Sequence, residues 1–145
     1  MNKKGFTLIE LLIVVAIIGI VAAIAIPNLL TALQRGKQKA TMGDMKTIGN
    51  AIGSYMVDNS IAPEALTAIG KFHIQKIPQR DGWGHTWYYT RNATNLDEYS
   101  LGSAGRDTTF AWHSGNVSYT VASLSDFDND IILSNGTFTY APKTN

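Results

Sequence analysis

The chain has 145 residues and no cysteine, so no disulfide can hold any part of it together. It also lacks a charge imbalance: twelve Lys and Arg against eleven Asp and Glu leave a net charge of +1. That balance argues against nucleic acid as a primary partner. No internal repeat or low-complexity tract is present. Nucleophile elbow, phosphate-binding loop and zinc signature are all missing, so no catalytic constellation is expected. His73, His85 and His113 are scattered without metal-ligand spacing and read as surface or loop residues. Three matches to the glycosylation sequon, at Asn92, Asn116 and Asn135, read as ordinary loop composition.

What the chain does have is one long uncharged run, residues 11–34. A bilayer core takes about 20 apolar residues as a helix, so residues 6–26 can span it. Lys3 and Lys4 are the only charges ahead of the run and favour a cytoplasmic N-terminus, with the rest of the chain on the far side. A secretory signal is cut behind its apolar segment. Here the plausible processing signal lies in front of it, so the apolar helix stays. Glu10 sits one turn into the run, where a carboxylate costs about 2.5–3.5 kcal/mol and calls for a partner. Snorkelling to the interface beside Lys4 is one way to supply it. Gly19 and Pro27 are expected to break the helix, glycine through low propensity and proline through a lost hydrogen bond and a clash.

Residues 28–58 continue as an amphipathic helix. Leu29, Leu33, Met45, Ile48, Ile52 and Tyr55 recur at three- and four-residue spacing, opposite Arg35, Lys37, Lys39, Asp44 and Lys46. The basic cluster reads as a solvated face, with anionic lipid headgroups as the alternative contact. Asp58, Asn59 and Ser60 stop the helix, and residues 59–145 form a small β-rich head with a modest core. Within it, residues 63–70 read as a short second helix, with Pro63 in its first turn and Gly70 at its end. The run Asp81-Gly82-Trp83-Gly84-His85 reads as a tight loop whose tryptophan plugs the core. Strands are expected at residues 87–90 and 98–101, and a hairpin from 131–133 to 137–140 around Ser134-Asn135-Gly136. The fold class is α+β, a long N-terminal helix packed on a small antiparallel sheet. Arg106 and Asp107 read as a loop ion pair, and Trp112 and Tyr119 as packed loop residues or a contact surface. Asp126, Asp128 and Asp130 form the densest oxygen cluster. It suits a hard cation such as Ca²⁺, or is a solvated acidic turn; no EF-hand glycine or closing glutamate is present. A small head without disulfides has use for a bound metal.

The motif Gly5-Phe6-Thr7-Leu8-Ile9-Glu10 resembles the class III signal of type IV pilins and type II secretion pseudopilins. The resemblance implies a pilin-like fold in four parts: leader 1–5, membrane and filament-core helix 6–27, amphipathic helix 28–58 and head 59–145. It implies that a prepilin peptidase cuts between Gly5 and Phe6 and that Phe6 becomes N-methylated. It implies that Glu10 pairs with the new α-amino group of a neighbouring subunit, and that the stretch around Gly19 and Pro27 unwinds in the filament. The segment Asp81-Gly82-Trp83-Gly84 is similar to the Asp-Pro-Trp-Gly of major pseudopilins, with Gly82 in the proline's place. Missing cysteines set the chain apart from the commonest type IVa major pilins. Major pseudopilins bind calcium in a loop after a Ser-Leu-Gly segment, closed by an Asp-x-Asp-Ile element. Here those fall on Ser100-Leu101-Gly102 and Asp128-Asn129-Asp130-Ile131, with Leu101, Ser103, Asp107, Asp128 and Asp130 as the implied donors. Ala104 stands where the family has an early aspartate, and Asp107 would substitute. The implied role is non-enzymatic: a bacterial inner-membrane protein with a periplasmic head, polymerised into a helical filament by an assembly platform and ATPase together with minor pseudopilins. The filament drives export by type II secretion, or, as the alternative, is a surface pilus for adhesion, motility or DNA uptake.

Overall fold

The computed structural model describes residues 5–70 and 72–143, which fall into two compact units, Met1–Leu33 and Gln34–Asn145. One helix, α1 (Leu8–Asn59), supplies nearly all of the first unit and the opening element of the second. Its start is locally encoded. The Glu10 backbone N–H donates to Thr7 Oγ1 at 3.3 Å, and Glu10 Oε2 accepts from the Thr7 backbone N–H at 2.8 Å. This reciprocal pair satisfies two of the helix's orphan donors.

In the first unit α1 runs through Gly19 and Pro27 as one continuous helix. Proline removes one hydrogen bond, and Ala25, Leu29 and Leu30 around it are good helix formers. The Thr31 hydroxyl donates back to the Pro27 carbonyl at 3.1 Å. Every large apolar side chain from Leu8 to Leu33 stands exposed, among them Ile13, Ile17, Ile20 and Ile24. The helix is apolar and long enough to cross a membrane.

In the second unit the helix turns amphipathic and buries Gln38, Thr41, Met45, Ile48, Gly49, Ala51 and Ile52. It ends where expected. Ser60 takes a positive φ of 60° and its N–H donates to the Met56 carbonyl, closing the last turn. Five strands follow: β1 (Tyr88–Arg91), β2 (Tyr99–Ser103), β3 (Val117–Tyr119), β4 (Ile131–Ser134) and β5 (Thr137–Pro142). They form one sheet in the order β1-β2-β4-β5-β3, antiparallel except for the parallel β3–β5 edge. Met45, Ile48 and Ile52 from the helix meet Tyr99, Leu101, Ile131 and Leu133 from the sheet, and these residues are the core. The packing is close at Gly49, where an added Cβ would stand 3.0 Å from Leu133 Cδ2. The β4–β5 turn has Asn135 and Gly136 both at positive φ, the type I′ geometry that suits the twist of a hairpin.

Two expectations are corrected. Residues 63–70 form only a single 3-10 turn, Leu66–Ala68, because buried Pro63 and Ile69 are held by the core rather than by helical hydrogen bonding. The strand β3 was not foreseen: its three residues lack a clear alternating pattern and are recruited by pairing with β5.

Candidate functional site

The processing segment is open. Phe6 is 82% exposed, and Gly5 has no atom within 4 Å of the place a Cβ would occupy. Leader residues 1–4, with the expected Lys4–Glu10 pairing, lie outside the described residues. Glu10 engages Thr7, whose hydroxyl donates to Oε2 at 2.7 Å. The carboxylate is thus held at the helix start with its side chain otherwise exposed.

In the second unit a loop clasps the helix. Asp81 is buried, and its Oδ1 accepts from the backbone N–H groups of Trp83 at 3.0 Å and His85 at 2.8 Å. Its Oδ2 accepts from the buried Ser103 hydroxyl at 2.6 Å, which ties the loop to β2. Gly82 lies directly against α1. Its N–H donates to Thr41 Oγ1 at 2.9 Å, and a Cβ there would stand 2.3 Å from the Lys37 carbonyl oxygen. A proline at this position would have neither the donor nor the room, which is the physical content of the departure from Asp-Pro-Trp-Gly. Trp83 packs half-buried on the core edge, and its Nε1–H donates to Gln34 Oε1 at 2.7 Å.

The acidic cluster follows the same logic of ties. Gly105 adopts φ 64°, and a Cβ there would come 2.6 Å from the Asn129 carbonyl oxygen and 2.7 Å from that of Phe127, so both the backbone and the space call for glycine. The next residue, Arg106, donates its backbone N–H to Phe127 and its guanidinium to both oxygens of Asp128, at 2.6 and 2.9 Å. That fork-to-carboxylate bond holds the Arg106 pKa above its ordinary value. Arg106 therefore pairs with Asp128, not with Asp107 as expected; Asp107 closes its own turn by accepting from the Thr109 N–H at 2.9 Å. Asp130 is buried. Its Oδ2 accepts from the Ala111 N–H and contacts His113 Nε2, both at 3.0 Å, while its Oδ1 has no partner among the described residues. Burial pushes its carboxyl above the usual range, and the Ala111 and His113 bonds oppose this. Asp126 is separate, capping the 3-10 turn Leu124–Asp128 through Ser123 and Ala122.

Of the expected calcium donors, Leu101 and Ser103 are buried in β2, Asp128 is held by Arg106, and Asp130 by Ala111 and His113. Among the described residues no three His, Asp or Glu side chains converge as a metal cluster. All three histidines lie outside helices and strands, as expected, and two of them have hydrogen-bond partners. His113 stacks on Tyr140 at 4.0 Å, and His85 Nδ1 lies 2.9 Å from the Gly105 carbonyl. Those pairings join residues far apart in sequence, and only the dense spacing of Asp126, Asp128 and Asp130 signalled that partners would gather there.

Comparison with known proteins adds two findings. The family described as the prokaryotic N-terminal methylation motif matches residues 1–26. Relatives over most of the chain carry the name type II secretion system core protein G. That of Pseudomonas aeruginosa is 32% identical, covering 73% of this chain and 87% of the relative. That of Vibrio cholerae is 31% identical over 73% and 84%, and that of Escherichia coli K12 28% identical over 73% and 83%.

Proposed function

The chain belongs to the family of type II secretion system core protein G, the major pseudopilins, and from that membership we propose how its parts work. It is a structural subunit that polymerises into a pilus-like filament from the inner membrane and so drives protein export. The observation that carries this is the helix of the first unit: apolar over more than 18 residues, exposed along its length, and opened by a methylation motif. Lipid covers such a surface in the monomer, and copies of the same helix cover it in a filament. The Pseudomonas aeruginosa, Vibrio cholerae and Escherichia coli relatives are all named for type II secretion, which favours export over the surface-pilus alternative.

Finer points rest on the residues. Lys3 and Lys4 before the span support a cytoplasmic N-terminus and a periplasmic head. Gly5 and Phe6 present an accessible bond to prepilin peptidase, and Phe6 then carries the methyl group. Glu10 exchanges its Thr7 bond for the amine of the next subunit, which fixes axial register. Gly19 and Pro27 are where the helix unwinds on assembly. An inner-membrane platform, its ATPase and minor pseudopilins act on this subunit, which performs no catalysis itself. Because the chain has no cysteine, engineered pairs report contacts without background. Paired cysteines along residues 8–33 should cross-link between subunits in sheared filaments viewed by electron microscopy. Cross-links confined to monomers, with no filaments, would refute the reading.

Calcium is a proposal of its own. Buried Asp130 Oδ1, without a partner, supports a cation there, and an ion would neutralise clustered carboxylates and tie the long loop to the sheet. Asp128 would have to leave Arg106 to join it. Ligand binding to the folded state alone adds about 2.7 kcal/mol at a hundredfold excess over Kd. The full chain should then melt higher in calcium than in chelator, and Asp130→Ala should erase the difference. Equal melting refutes the site.

A further inference from the structure

We propose that Arg106 is a built-in counter-ion of the segment between β2 and β4. It competes with a divalent cation for Asp128 and so sets how tightly that segment holds calcium. The inference rests on the calcium reading given above and deepens it, by naming the residue of this chain that tunes the site.

The segment is closed by its own residues. Arg106, Ala111 and His113 reach acceptors on residues 127–130. The Arg106 backbone N–H donates to the carbonyl of Phe127 at 2.8 Å, and the Phe127 side chain is fully buried. Gly105, just ahead of it, has no room for a side chain against residues 127–129. The backbone at Arg106 is therefore fixed, and its guanidinium reaches Asp128 from a set place. The side chains are the movable part: that of Arg106 is 37% exposed and that of Asp128 30%. Arg106 can swing its fork into water by changing its own rotamer, with the backbone left where it is.

Asp130 is different. It is only 6% exposed, and its Oδ1 has no partner among the described residues. A buried carboxylate oxygen left open is costly, and a cation relieves it. The segment thus holds one open acceptor, on Asp130, and one carboxylate filled by a removable cation, on Asp128. Calcium affinity depends on how many charged oxygens the ion gathers. Arg106 opposes the recruitment of Asp128 in two ways. Its fork takes the lone pairs that face it on both oxygens, and its charge repels a second cation at the same carboxylate. With Arg106 in place the segment stays closed where calcium is scarce, and the arginine-closed and calcium-closed forms share one backbone.

The experiment titrates calcium into the full chain in neutral detergent, after chelator treatment, and reads binding by isothermal calorimetry. Arg106→Gln removes both the charge and the fork, and should bind calcium about fivefold or more tightly than the wild-type chain. Arg106→Lys keeps a charge but grips only as a point charge, so its affinity should fall between the two. Equal or weaker binding by Arg106→Gln would overturn the proposal. A second readout uses the wild-type chain and does not depend on how a variant folds. The Arg106 Nε–H, which donates to Asp128 Oδ1, gives a nitrogen-resolved NMR signal that is assigned by its loss in Arg106→Lys. That proton should exchange with water faster once calcium is added. A signal still protected at saturating calcium would overturn the exchange of partners. Failure of this proposal and failure of the calcium reading look different. If neither the wild-type chain nor Arg106→Gln takes up calcium, the calcium site is absent and the proposal falls with it. Equal uptake by both leaves the calcium site standing and removes only the part given to Arg106.

Discussion

Arg106 grips both carboxylate oxygens of Asp128, at 2.6 and 2.9 Å, and so joins the end of β2 to the segment leading into β4. The pair is partly exposed and screened by water, so its coupling should be small but favourable in a double-mutant cycle of Arg106→Ala and Asp128→Ala. Thermal unfolding of the full chain in detergent reads it through Trp83, Trp87 and Trp112, which all lie in the second unit. Additive losses would show that the two side chains do not stabilise the loop together.

Gly82 is expected to be the least replaceable glycine of the clasp. Gly82→Ala should cost about 1–3 kcal/mol, because the new methyl meets the helix backbone at Lys37 and neither can yield cheaply. In a unit of this size that lowers the melting temperature by several degrees. Gly84→Ala, with no atom near its Cβ but a φ of 92°, isolates the cost of backbone strain alone. Equal melting of Gly82→Ala and wild type would remove the close approach from the account.

Processing should leave Phe6 at the N-terminus. Intact mass of the membrane-extracted protein should show loss of the first five residues and gain of one methyl group. A mature start anywhere beyond Ile26 is incompatible with a retained helix.

Charge and capping at Glu10 can be separated. Glu10→Gln keeps an acceptor for Thr7 but has no charge for a neighbour's amine. Glu10→Leu removes both. Each should leave the monomer inserted, since each relieves the bilayer of a carboxylate. Filament yield should fall sharply in both if pairing matters, and only in Glu10→Leu if the cap alone matters.

Core truncation provides the scale for these effects. Phe127 is fully buried beneath the loop, and Phe127→Ala should cost about 3–5 kcal/mol, far more than either surface change. Urea unfolding monitored at the same tryptophans should show the midpoint shift without a change in slope. A shift no larger than that of Arg106→Ala would place Phe127 outside the cooperative core.

Some of this was legible in the amino-acid sequence because it depends on neighbours along the chain. The uncharged run, the Gly5–Glu10 motif, the three- and four-residue spacing of Met45, Ile48 and Ile52, the stop at Ser60 and the Asn135-Gly136 turn are all local or periodic signals. Helical periodicity and turn chemistry act over a few residues, so they survive reading one residue at a time. Tertiary structure alone decided which distant groups meet. It gave Asp128 to Arg106 and Asp130 to His113, added β3 as a parallel edge to β5, pressed Gly82 onto the helix, and left Asp130 Oδ1 buried without a partner among the described residues. Those pairings span from seventeen to more than forty residues of chain. They form only when the sheet closes on the helix, because a contact between distant residues is fixed by the whole packed core and not by the spacing of either partner.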